Sequence, residues 1–187
     1  MLFHHARVVP VLFMCLMFSA SSGARNHVVT IKGGDLHLRG ELAEGSCEVS
    51  TGSRDMSVDM GQYRNSDFQG VGSLSSVLIP FELHLTGCNP ALASAVGVSF
   101  YGMTDPKDPD VFLVSSGVSG RDGYSGLGLL IADETGSQVI PDRVSDTFVP
   151  VTAPDVVLHF TARYRTTSRE PSPGELRSEV SFRLVYP

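Results

Sequence analysis

The chain has 187 residues, 42% of them hydrophobic, with 14 basic against 20 acidic side chains and a formal net charge of −6. Only two lysines occur, Lys32 and Lys107, so no basic patch invites nucleic acid, and beyond the N-terminus no apolar run is long enough for a membrane-spanning helix. These limits argue against a nucleic-acid partner and against a membrane span beyond the N-terminus.

Residues 1–24, MLFHHARVVPVLFMCLMFSASSGA, have a basic start ending at Arg7, an apolar run, and a small-residue site at Ser22-Gly23-Ala24. That is the plan of a secretory signal peptide cut after Ala24. A membrane anchor would need a longer apolar stretch. Lipoprotein processing at Cys15 would need smaller residues than Leu12-Phe13-Met14. Removal leaves Arg25–Pro187, 187 − 24 = 163 residues with 13 basic and 20 acidic side chains, one domain's worth of chain at a net charge of −7.

The next piece is HVVTIKGGDLHLRGELAEGSC. Leu36, Leu38 and Leu42 share one face with Gly40, while Val29 and Ile31 alternate out of phase across Gly33-Gly34. A first strand with a leader explains this, as does a β segment whose glycine admits a neighbouring backbone closely. Cys47 and Cys88 follow. Two cysteines in an exported chain are most simply one disulfide, here closing a loop of 88 − 47 = 41 positions and stabilising by about 4 kcal/mol through chain entropy. A thiol or metal pair would call for CxxC spacing, which is absent.

Helical periodicity is almost absent from the remainder. CEVST, MSVDMG, VLIPFELHLTGC, AVGVSFYG, VFLVSSG, GLGLLIAD, VVLHFTARYRTT and LRSEVSFRLVY read as strands, by alternation or by short apolar runs. NPAL, DPKDPD, SGRDGYSG, DETGSQ and REPSPG read as turns, and Pro141 to Pro154 as a long loop. Many strands at such spacing predict an all-β, antiparallel sandwich of immunoglobulin type in a single domain. The final strand is amphipathic: Val180, Phe182, Leu184 and Tyr186 alternate with Glu179, Ser181, Arg183 and Val185. Its apolar row needs a partner layer, and its edge is a template for pairing.

Chemistry is hard to find. His37, His84 and His159 sit between apolar neighbours on outward positions, and with His27 they offer no metal-ligand spacing. No G-x-S-x-G elbow occurs around Ser119 or Ser125. The glycine-rich SGVSGRDGYSGLG lacks the Lys-Ser/Thr of a phosphate loop, and Asp105, Asp108 and Asp110 lack the spacing and closing Glu of a calcium loop. The expectation is no enzyme, no metal and no cofactor.

Taken in order, these segments resemble the pilin subunits of chaperone–usher fimbriae, the type 1 family in particular, over essentially the whole exported chain. GGDLHLRGEL looks like the N-terminal donor extension, SCEV with IPFELHLTGC like the disulfide pair, and AVGVSFYGMTD, GLGLLIADETG and LHFTARYRTT like inner-strand blocks. In GELRSEVSFRLVYP, Gly174 is fourteenth from the end and Tyr186 penultimate, as in the family's chaperone-binding strand. The stretches MSVDMGQ and DPKDPDVF are more similar to a minor pilin, of the kind associated with the rod base, than to the abundant rod subunit.

The resemblance implies an immunoglobulin-like sandwich that lacks its last strand and is completed by a strand from another chain. A periplasmic chaperone would first pair alongside Gly174, Val180, Phe182, Leu184 and Tyr186. After passage through an outer-membrane usher, a neighbouring pilin subunit would replace it, with Leu36, Leu38, Gly40 and Leu42 as the corresponding donor residues of this chain. The implied organisation is a signal peptide at 1–24, a donor extension at 25–44 and a pilin domain at 45–187, exported through the periplasm to a fimbrium on the bacterial surface. A major rod pilin would share every motif. A secreted sandwich serving as a binding or tip-adhesin module is the other alternative, although an adhesin adds a lectin domain for which 163 residues leave no room.

Overall fold

A computed structural model describes residues 46–118 and 121–187. Their strands are β1 (Glu48–Val49), β2 (Ile79–Thr86), β3 (Ala95–Gly102), β4 (Phe112–Val118), β5 (Arg121–Asp133), β6 (Gln138–Val139), β7 (Val149–Pro150), β8 (Val156–Thr166), β9 (Glu175–Arg177) and β10 (Val180–Val185). One helical turn, α1 (Thr51–Arg54), follows β1, and a 3-10 turn occupies Asn65–Asp67.

The strands form two antiparallel sheets. The larger runs β1-β2-β8-β5-β4-β9, with β6 also on β5; the smaller runs β10-β3-β7. At the centre of the larger sheet, β8 shows why such sequences become strands. Val156, Leu158, Phe160, Ala162, Tyr164 and Thr166 are all buried, while the residues between them are not. One pleated face therefore supplies a continuous apolar row. That row meets Val96, Val98 and Phe100 of β3 in a core shared by both sheets, which also takes in Leu83, Leu85, Ile131 and Val151. The fold is an incomplete immunoglobulin-like sandwich.

The disulfide forms between Cys47 and Cys88, 4.0 Å apart at Cα, tying the entry of β1 to the exit of β2. Four readings differ from the structure. Pro141 to Pro154, read as a loop, includes the two-residue β7, which pairs with β3. The turn-rich RDGYSG belongs to β5, because Ser125 Oγ donates to the Val114 carbonyl (2.6 Å) and accepts from the Leu127 N–H, so the buried hydroxyl is satisfied inside the sheet. LRSEVSFRLVY is two strands rather than one. Ser178 donates its hydroxyl to the Leu113 carbonyl (2.8 Å), and the chain then leaves β4 for β3. MSVDMG is not a strand, for a reason that concerns the site.

Candidate functional site: an open seam beside the last strand

β10 pairs with β3 over six positions without a break, from Val180 opposite Gly102 to Val185 opposite Gly97. No described strand pairs with its other edge. Its inward row, Val180, Phe182 and Leu184 with Tyr186 beyond, packs on the core, yet all four stay only partly buried. The neighbouring inward row of β3, Val96, Val98 and Phe100, is at most 3% exposed.

Residues 56–63 are the candidate for an opposite lip. Val58 and Met60 are partly buried while Ser57, Asp59 and Gly61 are exposed, the alternation of a strand. Yet no backbone–backbone hydrogen bond involves residues 56–63 among the described residues. A strand is defined by its ladder, and among the described residues this one has no second member. MSVDMG, expected as a strand, therefore pairs with no strand among the described residues.

The flanking segments are tied in at both ends. At one end the Tyr186 hydroxyl accepts from the Cys47 N–H (3.0 Å) and donates to the Cys47 carbonyl (3.3 Å). At the other, Met60 and Tyr63 of the first lip and Leu176 of β9 pack on the same buried cluster of Val114, Leu127 and Tyr164. Burial, with smaller contributions from Tyr63 and Asp59, pushes the Tyr164 phenol up to about 12, so it stays neutral under this end. Six residues of β10 give the gap a length of roughly 20 Å.

The floor of the gap is apolar. Along β2, Leu85 and Leu83 are 1% exposed, but Phe81 and Ile79 are only partly buried and Val77, next on that row, is 49% exposed. Phe81 stacks on Phe160 (5.5 Å between centroids) and meets Phe100 at 6.2 Å, and Phe100 lies 6.2 Å from Phe182. An aromatic band therefore runs beneath the gap from β2 to β10. Each apolar side chain seated on it would gain about 1.5–3 kcal/mol at full burial.

The structure thus brings Val180, Phe182, Leu184 and Tyr186 together on one lip. Gly174 is not on that lip. It precedes β9, beside β4, with φ of +145°, a conformation that favours glycine, and the preceding Pro173 carbonyl accepts the Ser116 hydroxyl (2.9 Å). Leu36, Leu38, Gly40 and Leu42 lie outside the described residues, as do the boundaries at 24 and 44. His84 and His159 point outward, each 3.2 Å from Glu82. Among the described residues no group of three or more His, Cys, Asp or Glu is arranged to hold a metal ion. Sequence reasoning missed the role of Met56, Val58 and Met60 as the candidate second lip. Their alternation was visible, but not the absence of a neighbour among the described residues.

Comparison with known proteins identifies the family. The family described as fimbrial protein matches residues 36–187. A fimbrin-like protein of Salmonella typhi, FimI, is 43% identical over 160 residues, covering 85% of this chain and 88% of its own. The type 1 fimbrial subunit of Salmonella typhimurium is 33% identical over 177 residues, covering 91% and 93%. Among solved structures, the P pilus rod subunit PapA superposes with a TM-score of 0.64 at 22% identity, over 76% of this chain and all of that one, which speaks to the fold.

Proposed function

The chain belongs to the fimbrial protein family, as a structural pilin subunit of the chaperone–usher type rather than an enzyme, and on that premise we propose that it polymerises by donor-strand exchange through the seam beside β10. The observation that carries this reading is the outer edge of β10, which pairs with no strand among the described residues and whose apolar row stays only partly buried. An extended strand entering the gap would satisfy two rows of backbone groups and cover Val180, Phe182, Leu184 and Tyr186 with its own apolar row.

In this reading residues 1–24 are removed on export, residues 25–44 are the donor extension, and residues 45–187 are the pilin domain. A periplasmic chaperone lends the first strand, an outer-membrane usher passes the subunit on, and a neighbouring subunit supplies the final strand. Leu36, Leu38, Gly40 and Leu42 of this chain act in turn on the next seam. Each fold is then completed by a neighbour, and the polymer is durable because the bound strand adds its binding free energy to the stability of the fold. Within type 1-like fimbriae we place the chain with the minor pilins. Mass spectrometry of sheared fibres should then find it far below the rod subunit in copy number.

The test is thermal unfolding of residues 25–187, with and without a flexible linker and a second copy of residues 34–44 after Pro187. Filling the seam with three leucines should add about 5–9 kcal/mol as an upper bound, or on the order of 10–30 °C in melting temperature. An unchanged melting temperature would sink the reading and leave an ordinary secreted sandwich.

A further inference from the structure

Exposed apolar side chains gather on one short segment of the larger sheet. Nine large hydrophobic residues are exposed among the described residues, and four of them, Val71, Leu74, Val77 and Leu78, fall within eight positions. The stretch from Gly70 to Phe81 carries no charged residue. It is not loose chain. The Gly72 N–H donates to the Thr166 carbonyl (2.7 Å), the Ser75 N–H to the Tyr164 carbonyl (2.8 Å), and the Tyr164 N–H to the Ser75 hydroxyl (3.1 Å). Main-chain bonds to β8 therefore hold these side chains at the surface. Leu74 is bridged to Arg165, and one step beyond the Ile79–Ala162 pair Leu78 stands opposite Arg163. Pro80, opposite Thr161, continues the row. Directly opposed residues point to the same side of a sheet, so Leu74, Leu78 and Pro80 share the outer face with the outward row of β8.

That row holds two guanidiniums, and they are finished differently. Arg165 donates to the Asp108 carboxylate (3.1 Å) and to the Gln138 side-chain carbonyl (2.7 Å). Arg163, with buried Leu130 on its other flank, makes no ion pair among the described residues, and its Nε is buried with no acceptor. The other charged groups of this face are engaged elsewhere or stand apart. Asp105 accepts the Tyr124 and Thr167 hydroxyls, Lys107 meets Ser168, and Glu82 lies with His84 and His159, four positions down β8 from Arg163. Asp110, exposed, makes no ion pair either, and its carbonyl accepts from the Gln138 amide on the Arg165 side. A guanidinium partly stripped of water and left without a counter-ion attracts a carboxylate more strongly than a fully hydrated one, and its planar fork takes the carboxylate by two parallel bonds. An exposed apolar patch beside such a cation is the mark of an interaction surface. We infer that residues 71–80 and Arg163 form a second contact surface of the subunit, on the other sheet from β10, which receives an apolar stretch of a neighbouring pilin bearing a carboxylate for Arg163. The charge balance supports a pilin as its source: with 20 acidic against 14 basic side chains, a surface of this kind offers carboxylates in excess of cations. The inference rests on membership of the fimbrial family and not on strand donation.

The test uses whole fimbriae. The photo-reactive amino acid benzoylphenylalanine replaces Leu78 in the full chain, and cross-linked peptides from sheared, illuminated fibres are identified by mass spectrometry. Cross-links should join a neighbouring pilin at a peptide containing Asp or Glu. Arg163→Glu should lower their yield about tenfold, and changing the identified carboxylate to arginine should restore it. Arg163→Gln, which removes the charge without reversing it, replaces the Glu variant if that one melts well below wild type, and it should lower the yield in the same direction. Fibres that contain the probe-bearing chain but yield no cross-link between subunits overturn the inference. So do cross-links to a peptide without a carboxylate, cross-links confined to the chaperone or usher, and a yield that Arg163→Glu or Arg163→Gln leaves unchanged. Each of these leaves strand donation at β10 standing. Absence of the chain from the fibres overturns both.

Discussion

β3 has two flanks, and they are finished in opposite ways. On one, residues 142–150 close the edge with irregular chain. Asp142, at a φ of +61°, donates its N–H to the Phe100 carbonyl (2.8 Å), Ser145 donates to Val98 (2.9 Å), and Val149 and Pro150 pair with Val96 and Ala95. Phe148 lies where a Cβ on Gly97 would stand, so that residue's missing side chain admits the covering segment. On the other flank β10 runs straight, with no bulge, no proline and no inward charge. Those are the devices by which edges are protected from pairing, and this edge has none of them. Irregular chain suffices to close an edge for good, whereas a regular edge remains available to a partner.

The sharpest way to probe this contrast is to truncate a leucine on each side of it. Leu83→Ala, in the closed core, should cost about 3 kcal/mol in urea unfolding, against about 1 kcal/mol for the half-buried Leu184→Ala. Once a strand is appended to fill the seam, the cost at Leu184 should rise towards that at Leu83. Equal costs in the bare chain would mean that the seam is already closed.

A smaller effect is expected where the last strand is tied in. Tyr186→Phe keeps the ring but loses both hydrogen bonds to Cys47, at about 1–2 kcal/mol, and chemical denaturation should read it in the bare and the filled protein alike. A loss below 0.5 kcal/mol, on the order of measurement error, would remove Tyr186 as the clamp.

The smallest effect belongs to the closed flank. Asp133 accepts the Thr147 hydroxyl (2.6 Å) from the covering segment, together with the Thr135 hydroxyl and N–H and the Ser137 N–H. Burial alone would raise its pKa, but the hydrogen bonds, led by Thr135 and Thr147, outweigh burial and hold the carboxyl below 3.8. A depressed folded-state pKa contributes stability that is present above the unfolded value and lost as pH falls through the folded one. Asp133→Asn should therefore cost about 1 kcal/mol at pH 7, and the gap should narrow as pH drops below about 4. A gap independent of pH would contradict the role given to the carboxylate.

Much of this was readable from residues that alternate. Leu158, Phe160, Ala162 and Tyr164 announce β8, and Val180, Phe182 and Leu184 announce β10, because a half-buried strand imposes period two whatever lies above it. The cysteine pairing followed from export and number. What escaped was set by neighbours. Gly123 and Ser125 look like turn residues until β4 pairs with them, and β-propensity yields to such pairing. Likewise Met56, Val58 and Met60 look like any strand, since alternation does not state whether a partner strand is present. The break between β9 and β10 depends on the Leu113 carbonyl, sixty-five positions away from Ser178.

The register of β10 has a consequence for time. It pairs Gly97 with Val185, 185 − 97 = 88 positions apart, and β2 finds β8 across a comparable span, Ile79 to Ala162, 162 − 79 = 83. Contacts this distant along the chain are slow to form, because the entropy of closing the loop is lost before any contact repays it. The nascent sandwich therefore lingers with the apolar row of β3 uncovered, a state in which aggregation competes with folding. A strand offered early to β10 would shorten that interval, acting on the rate at which the subunit is made as well as on how tightly it is later held.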